Sequence, residues 1–238
     1  MPENKKTNKK YAAVVSAHPI GSCKEQTSGN VYGTALADAG FVVVAFDASF
    51  QGASVENLVS LRPSFPCSDF RFVVDYIQTL PYVDPERIGV LGICGGGGYA
   101  LNAIMTDYRF KACVGFAQFD PVGTLEMIGQ QRTAEAQGAE RNVIHYLHLM
   151  SKRSKNNGDV DVPEAFDYYK TDRGQKPNGA ASGLFSFNSA AVSWDAFGHA
   201  EHIVVLPNTT HYELYDKPEA VKPALEKAIP FLKEHLKA

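Results

Sequence analysis

Cys94 is where a chemical reading of this chain begins. It lies in Arg87–Ala100, RIGVLGICGGGGYA, with Gly92 two residues before it and Gly96 two after. The apolar run Ile88 to Ile93 leads in as a strand buried on both faces. Tyr99, Ala100, Leu101, Ala103, Ile104 and Met105 recur with the spacing of a helix leading out. Strand, tight turn and helix, with G-x-Cys-x-G at the turn, is the pattern of a nucleophile elbow. The nucleophile sits in a strained turn, and side chains two residues to either side would collide with the strand or the helix. In that geometry the Gly95 N–H faces a developing oxyanion. The helix N-terminus beneath the sulfur lowers its pKa. Two blander readings compete. Cys94 can be a small hydrophobe in a parallel sheet, or the glycines a phosphate-binding loop. The second lacks both the Lys-Ser/Thr of a P-loop and the spaced glycines plus acid of a dinucleotide fold.

A thiol nucleophile calls for a base. His211 closes Asn208-Thr209-Thr210-His211, which follows the apolar Ile203–Leu206 and precedes the terminal helix. Strand ends on one edge of a parallel sheet converge, so Cys94 and His211 can meet there. The order nucleophile then histidine is the order of the elbow pattern. A second oxyanion donor belongs after the first strand, where the chain reads His18-Pro19-Ile20-Gly21. Pro19 has no N–H, so Ile20 or Gly21 must donate. His18 is either a hydrogen-bonding support for that loop or a plain turn histidine.

These residues need elements to carry them. Tyr11–Ala17 and Phe41–Phe46 read as buried strands, and between them Ser28 or Asn30 starts a helix that ends before Gly40. Ser68 or Asp69 caps a helix running to Leu80, with Phe72, Val73, Tyr76 and Ile77 on one face. Lys111–Gln118 is the strand after the elbow helix. Leu125 to about Lys155 reads as helical, with His145 and His148 on one face. Residues Leu125 to Ser189 together read as a lid-like insertion over the strand ends, broken by a polar loop at Lys152–Asp161. Within it, Tyr168-Tyr169 and Phe185–Phe187 read as packing rather than a substrate box. Ile203–Leu206 is the last strand. Pro218–Leu236 is an amphipathic helix with Val221, Leu225, Ile229, Phe231 and Leu232 inward. Strands alternating with helices imply an α/β fold, a mostly parallel sheet flanked by helices. Residues 11–238 form one domain after a polar, lysine-rich tail at 1–10 that reads as disordered.

Composition narrows the function classes. A net charge of −3 on 238 residues gives no general attraction to nucleic acid or membranes. No apolar stretch is long enough to span a bilayer. Cys23, Cys67, Cys94 and Cys113 show no framework spacing and no C-x-x-C, as expected for reduced thiols of a cytoplasmic protein. His199-x-x-His202 is not a zincin spacing, and no metal or cofactor is expected.

HPIGSCKEQ, FVVVAFDASFQG, DYIQTLPYVDPERIGVLGICGGGGYALNA and HYELYDKPEAV together resemble the α/β-hydrolase superfamily. More narrowly they resemble its YcjY-like, dienelactone-hydrolase-related branch, which also includes fungal polyketide thiohydrolases and transferases. The resemblance covers most of Tyr11 to Ala238. It implies a Cys nucleophile at Cys94 and a catalytic histidine at His211. The chain departs from the branch in two places. No β-hairpin precedes the first strand, and the strand and helix that usually carry the catalytic acid are missing before Ile203, which implies a reduced strand count. Asp120, after the strand following the elbow, is the favoured acid. Asp195, before the last strand, is the alternative, since a triad acid is recognised by geometry and not by sequence position. The expected function is hydrolysis of a small-molecule ester, lactone or thioester through Cys94 and His211. The Gly95 and Ile20 or Gly21 amides would hold the oxyanion. The alternatives are a catalytically reduced binding protein with this fold and an acyltransferase. A homodimer is left open.

Overall fold

The structure is a computed structural model. It describes residues 9–49, 51–54, 66–116, 125–145, 161–179, 181–184, 206 and 209–238. Among the described residues four parallel strands make the main sheet in the order β2-β1-β3-β4: β1 (Tyr11–Ala17), β2 (Val42–Phe46), β3 (Val83–Ile93) and β4 (Phe110–Phe116). The chain runs from β1 outward to β2, then crosses back over β1 to reach β3. The order therefore reverses between β1 and β3, and a crevice opens at their C-terminal ends. His18 follows β1 there, and Cys94 follows β3.

Successive side chains point to opposite sides, so β1 and the second half of β3 are buried on both faces, whereas β2, expected as a buried strand, is only partly buried and β4 carries exposed positions. Ala13, Val15, Ala17, Ile88 and Val90 face helix α2 (Pro66–Gln78) and helix α3 (Gly95–Thr106). Ala12, Val14, Leu91 and Ile93 face the other layer. That layer holds a π-helical segment, Thr27–Gly33, which runs into α1 (Thr34–Asp38), and the long terminal helix. The helix expected from Ser28 or Asn30 thus begins at Thr27 and is wound as a π-helix for its first turns.

Four sequence expectations are corrected. Helix α2 begins at Pro66, not at a cap on Ser68 or Asp69. The Asp69 carboxylate instead accepts from the Ser49 N–H (2.8 Å) and hydroxyl (2.7 Å). The buried face of α2 is Phe70, Val74 and Ile77, an i, i+4, i+7 series, while Phe72 is 68% and Tyr76 58% exposed. Phe70 holds that face inward through edge contacts with Phe46 and Phe110. The helix expected over Leu125–Lys155 stops as α4 (Leu125–Ala136). Gly138 then takes a left-handed φ of 94°, and Val143–His145 forms β5. β5 pairs antiparallel with β6 (Ser182–Leu184), so His145 lies on a strand and not on a helix.

Before β6 the chain forms α5 (Asp161–Lys170), whose Ala165, Tyr168 and Tyr169 are buried in the core. The chain closes with α6 (Glu213–Asp216) and α7 (Pro218–Leu236). Helix α7 has the expected bounds. Its innermost positions are Ala220, Val221, Ala224, Ala228, Leu232 and Leu236, with Leu225, Ile229 and Phe231 only partly buried. A Cβ on Gly89 would stand 2.9 Å from Leu236 and 3.3 Å from Leu232, so the bare glycine lets α7 lie against β3. Asp120, Asp195, His148, His199, His202, Phe185–Phe187, the loop 152–160 and Ile203–Val205 lie outside the described residues. No helix among the described residues is long and apolar enough to cross a membrane.

Candidate active site

Cys94 takes φ 57° and ψ −125°, a conformation that L-residues rarely adopt. The turn is tight because three glycines let backbone meet backbone. A Cβ on Gly92 would stand 2.2 Å from the Gly96 carbonyl oxygen. One on Gly96 would stand 2.5 Å from that of His18, and one on Gly97 would reach the Phe116 N at 2.9 Å. Gly92, Gly96 and Gly97 are therefore packing requirements of the turn. Gly95 is bare for a different reason. Its Cβ would strike Ile20 Cγ1 at 2.3 Å, so the loop after β1 lies directly against the first residue of α3.

His18 organises that loop. It is buried, its Nε2 accepts from the Ala48 N–H (3.1 Å), and its Nδ1 then carries the proton and donates to the Pro19 carbonyl (2.7 Å). Burial holds its pKa below the ordinary histidine value against the opposing Pro19 and Asp47 effects, so it stays a neutral clamp. The Gly21 N–H is engaged by Gln51 Oε1 (2.7 Å), and the Gly21 carbonyl accepts from the Ala181 N–H (2.9 Å). The loop carrying Ala48 and Gln51 is itself gathered around Asp47, which accepts from the Lys24 N–H (2.7 Å) and Nζ (2.6 Å) and from the Ala53 N–H (3.0 Å).

His211 comes to Cys94 from the other side, on the turn before α6. The Cys94 thiol is hydrogen bonded to His211 and to the Tyr215 hydroxyl, and it receives the Gly95 N–H. Burial alone would push the thiol up. The hydrogen bond and charge of His211, with Tyr215 and Gly95 behind them, outweigh it and set its pKa below the ordinary cysteine value. His211 Nε2 is also 3.3 Å from the Tyr215 hydroxyl, and its ring meets Tyr212 and Tyr215 edge-on. The turn is anchored one residue earlier. The Thr210 N–H donates to Glu213 (2.8 Å) and its hydroxyl to Glu164 of α5 (2.5 Å).

The sequence residues Cys94, Gly95, Ile20, Gly21 and His211 are thus brought to one end of the sheet. Tyr168 and Tyr169 are core residues, as expected, but Tyr169 also lies with Tyr215 beside Cys94, and the sequence reading gave neither of these two a place in the site. The available signal was that Tyr215 follows His211 by four residues, one helical turn. Among the described residues no three His, Cys, Asp or Glu side chains gather into a site that could hold a metal ion.

A parallel sheet with its order reversing beside a strained cysteine turn defines an α/β-hydrolase fold. The chain belongs to the dienelactone hydrolase family, whose sequence pattern matches residues 3–146. That family is one of hydrolases acting on small molecules. The chain is 32% identical over 218 residues to the uncharacterized protein YcjY of Escherichia coli strain K12, covering 84% of this chain and 70% of that one. The crystal structure of hypothetical protein PA2218 from Pseudomonas aeruginosa superposes with a TM-score of 0.77 at 27% identity, over 99% of this chain and 87% of that one. The α/β hydrolase GrgF from Penicillium sp. sh18 shares the fold with a TM-score of 0.68 at 14% identity, over 98% and 92%.

Proposed function

We propose that the protein cleaves esters, lactones or thioesters of small molecules, with Cys94 as the nucleophile. The observation that carries this reading is the Cys94 thiol itself. It is held at φ 57° on the reversal of the sheet, hydrogen bonded to His211, with its pKa pulled down. In the reading, the thiolate attacks the carbonyl carbon and His211 holds the proton it has taken from the thiol. The oxyanion is received by the Gly95 N–H at the start of α3 and by the Ile20 N–H. Ile20 is preferred over Gly21 because the Gly21 N–H already donates to Gln51. As the tetrahedral adduct collapses, His211 gives the proton to the leaving oxygen or sulfur, and the acyl group stays on Cys94. A water then loses a proton to His211 and attacks the acyl carbon, and Cys94 departs as thiolate. The branched alternatives of the family differ only at this last step, where a non-water acceptor would make the protein a transferase.

A burst assay with p-nitrophenyl acetate and with an acyl thioester, wild type beside Cys94→Ala, tests the reading. A nitrophenolate burst near one equivalent, absent in Cys94→Ala, is expected. Equal inertness of both proteins on every substrate would favour a binding protein with this fold. In the same assay Asp120→Asn is expected to lower kcat with little change in KM, since the acid orients the imidazole and does not hold substrate. Asp195→Asn is then nearly silent, and the reverse outcome would assign the acid to Asp195.

A further inference from the structure

The mechanism above leaves one arrangement unused. Two tyrosines on different elements, Tyr169 of α5 and Tyr215 of α6, are 4% and 1% exposed, and their hydroxyls bond each other beside the Cys94 sulfur. Tyr215 is fixed from every side. Its carbonyl accepts from the Thr27 hydroxyl (2.6 Å). The carbonyl of the preceding Leu214 accepts from the Tyr32 hydroxyl (2.7 Å). Its ring is packed edge-on by Tyr168 and Tyr169 and tilted against Tyr212. A phenol held in this way keeps its oxygen beside the sulfur, since moving the ring would break the core.

We propose that Tyr215 is a catalytic residue, whose hydroxyl is a permanent hydrogen-bond donor to the Cys94 thiolate. This inference rests on Cys94 being the nucleophile, and it assigns Tyr215 two tasks. In the resting enzyme Tyr215 stabilises the thiolate beside the His211 imidazolium. In deacylation it stabilises the same sulfur as a leaving group. When the C–S bond of the tetrahedral adduct breaks, its electron pair goes to sulfur. Tyr215 O–H then donates a hydrogen bond to that sulfur and keeps its proton. The proton of the attacking water goes to His211. Burial first, and the nearby Cys94, Tyr169 and Tyr212, push the Tyr215 pKa well above the ordinary phenol value, so it stays a donor over the working range. The ionisable groups that act on the sulfur among the described residues are His211 from its turn, Tyr215 from α6 and Tyr169 from α5, with Tyr212 acting on both tyrosines.

The test is the pH dependence of Cys94 alkylation, followed on its peptide by mass spectrometry, in wild type and Tyr215→Phe. The variant keeps the ring and its packing. A donor to an ionised group accounts for about a ten-fold effect. Tyr215→Phe is therefore expected to move the inflection up and to lower the alkylation rate about ten-fold at pH values below both inflections. Decay of the preformed acetyl-enzyme should slow as well. Replacing Tyr215 by 3-fluorotyrosine, a stronger donor of nearly the same shape, should move the inflection down, and it decides the matter if Tyr215→Phe does not fold. An inflection unmoved in the folded variants would overturn the proposal. Alkylation does not require turnover, so this outcome is separable from failure of the nucleophile reading, which is an ester activity that survives in Cys94→Ala.

Discussion

Cys94 is held in a backbone conformation that costs on the order of 1–3 kcal/mol, and the surroundings show what sustains it. Gly92, Gly96 and Gly97 have no room for a side chain, so the turn can form only in this shape. The same turn places the sulfur over the first N–H of α3 and against His211. The other two thiols with described side chains have the opposite setting. Burial pushes Cys23 up to about 11 and Cys113 up to about 12. Alkylation follows the thiolate fraction, so the sign of each shift gives its pH window. Brief iodoacetamide treatment of the folded protein is expected to label Cys94 first, with a rate that rises through an inflection below that of an ordinary thiol. Cys23 and Cys113 should gain reactivity only in strong alkali. Labelling of Cys23 or Cys113 ahead of Cys94 at neutral pH would remove the basis for the nucleophile.

At the scale of elements, what the sequence revealed depended on how local the signal was. β1, α3 and α7 are encoded by unbroken apolar runs or by strong helical spacing, and they stand where the sequence puts them, while the elbow strand ends at Ile93 as expected but starts at Val83, ahead of the apolar run from Ile88. The face of α2 was misread because Phe72 and Tyr76 are large and apolar, yet the helix turns Phe70, Val74 and Ile77 to the sheet. Tertiary fit with Phe46 and Phe110 decided the orientation. Val143-Ile144 was misread because its partner strand lies some forty residues on at Ser182–Leu184, a pairing with no local trace. The same holds for the tether between α5 and α6. Arg173 reaches Asp216 (2.6 Å), Asp167 (3.0 Å) and the Tyr212 carbonyl (3.2 Å), and Gln26 reaches the Gly174 carbonyl (2.6 Å). The Arg173 bonds fasten the segment after α5 to the turn and helix around His211, and the Gln26 bond fastens it to the loop after β1. Arg173 is largely shielded from water, so its partners are left poorly satisfied when it goes. Arg173→Met is expected to lower the unfolding free energy by about 1–3 kcal/mol in urea titration and to reduce kcat. An unchanged midpoint and kcat would show that the tether is idle.

Across the whole molecule, the site exists because separate parts of the chain close on one another. Arg87 binds the Lys10 carbonyl (2.7 Å) just before β1 and the Lys237 carbonyl (3.0 Å) just after α7, beside its pair with Asp84 (2.8 Å). Helix α7 seals β3 and β4, while the two layers of the sheet carry the His18 loop and the His211 turn to the same end. Whether Asp120, Asp195 or no carboxylate completes His211 was the least legible part of the site. Asp120 and Asp195 are both plausible turn or cap residues by sequence, and only their position relative to the imidazole can separate them. The central claim is covalent catalysis by Cys94, and trapping the acyl-enzyme tests it most directly. Wild-type protein mixed with p-nitrophenyl acetate, quenched in acid within the burst and digested, is expected to carry one acetyl group on the peptide containing Cys94. Cys94→Ala should show neither the adduct nor turnover. Undiminished turnover by Cys94→Ala, with no acetylated Cys94 peptide from wild type, would contradict the account.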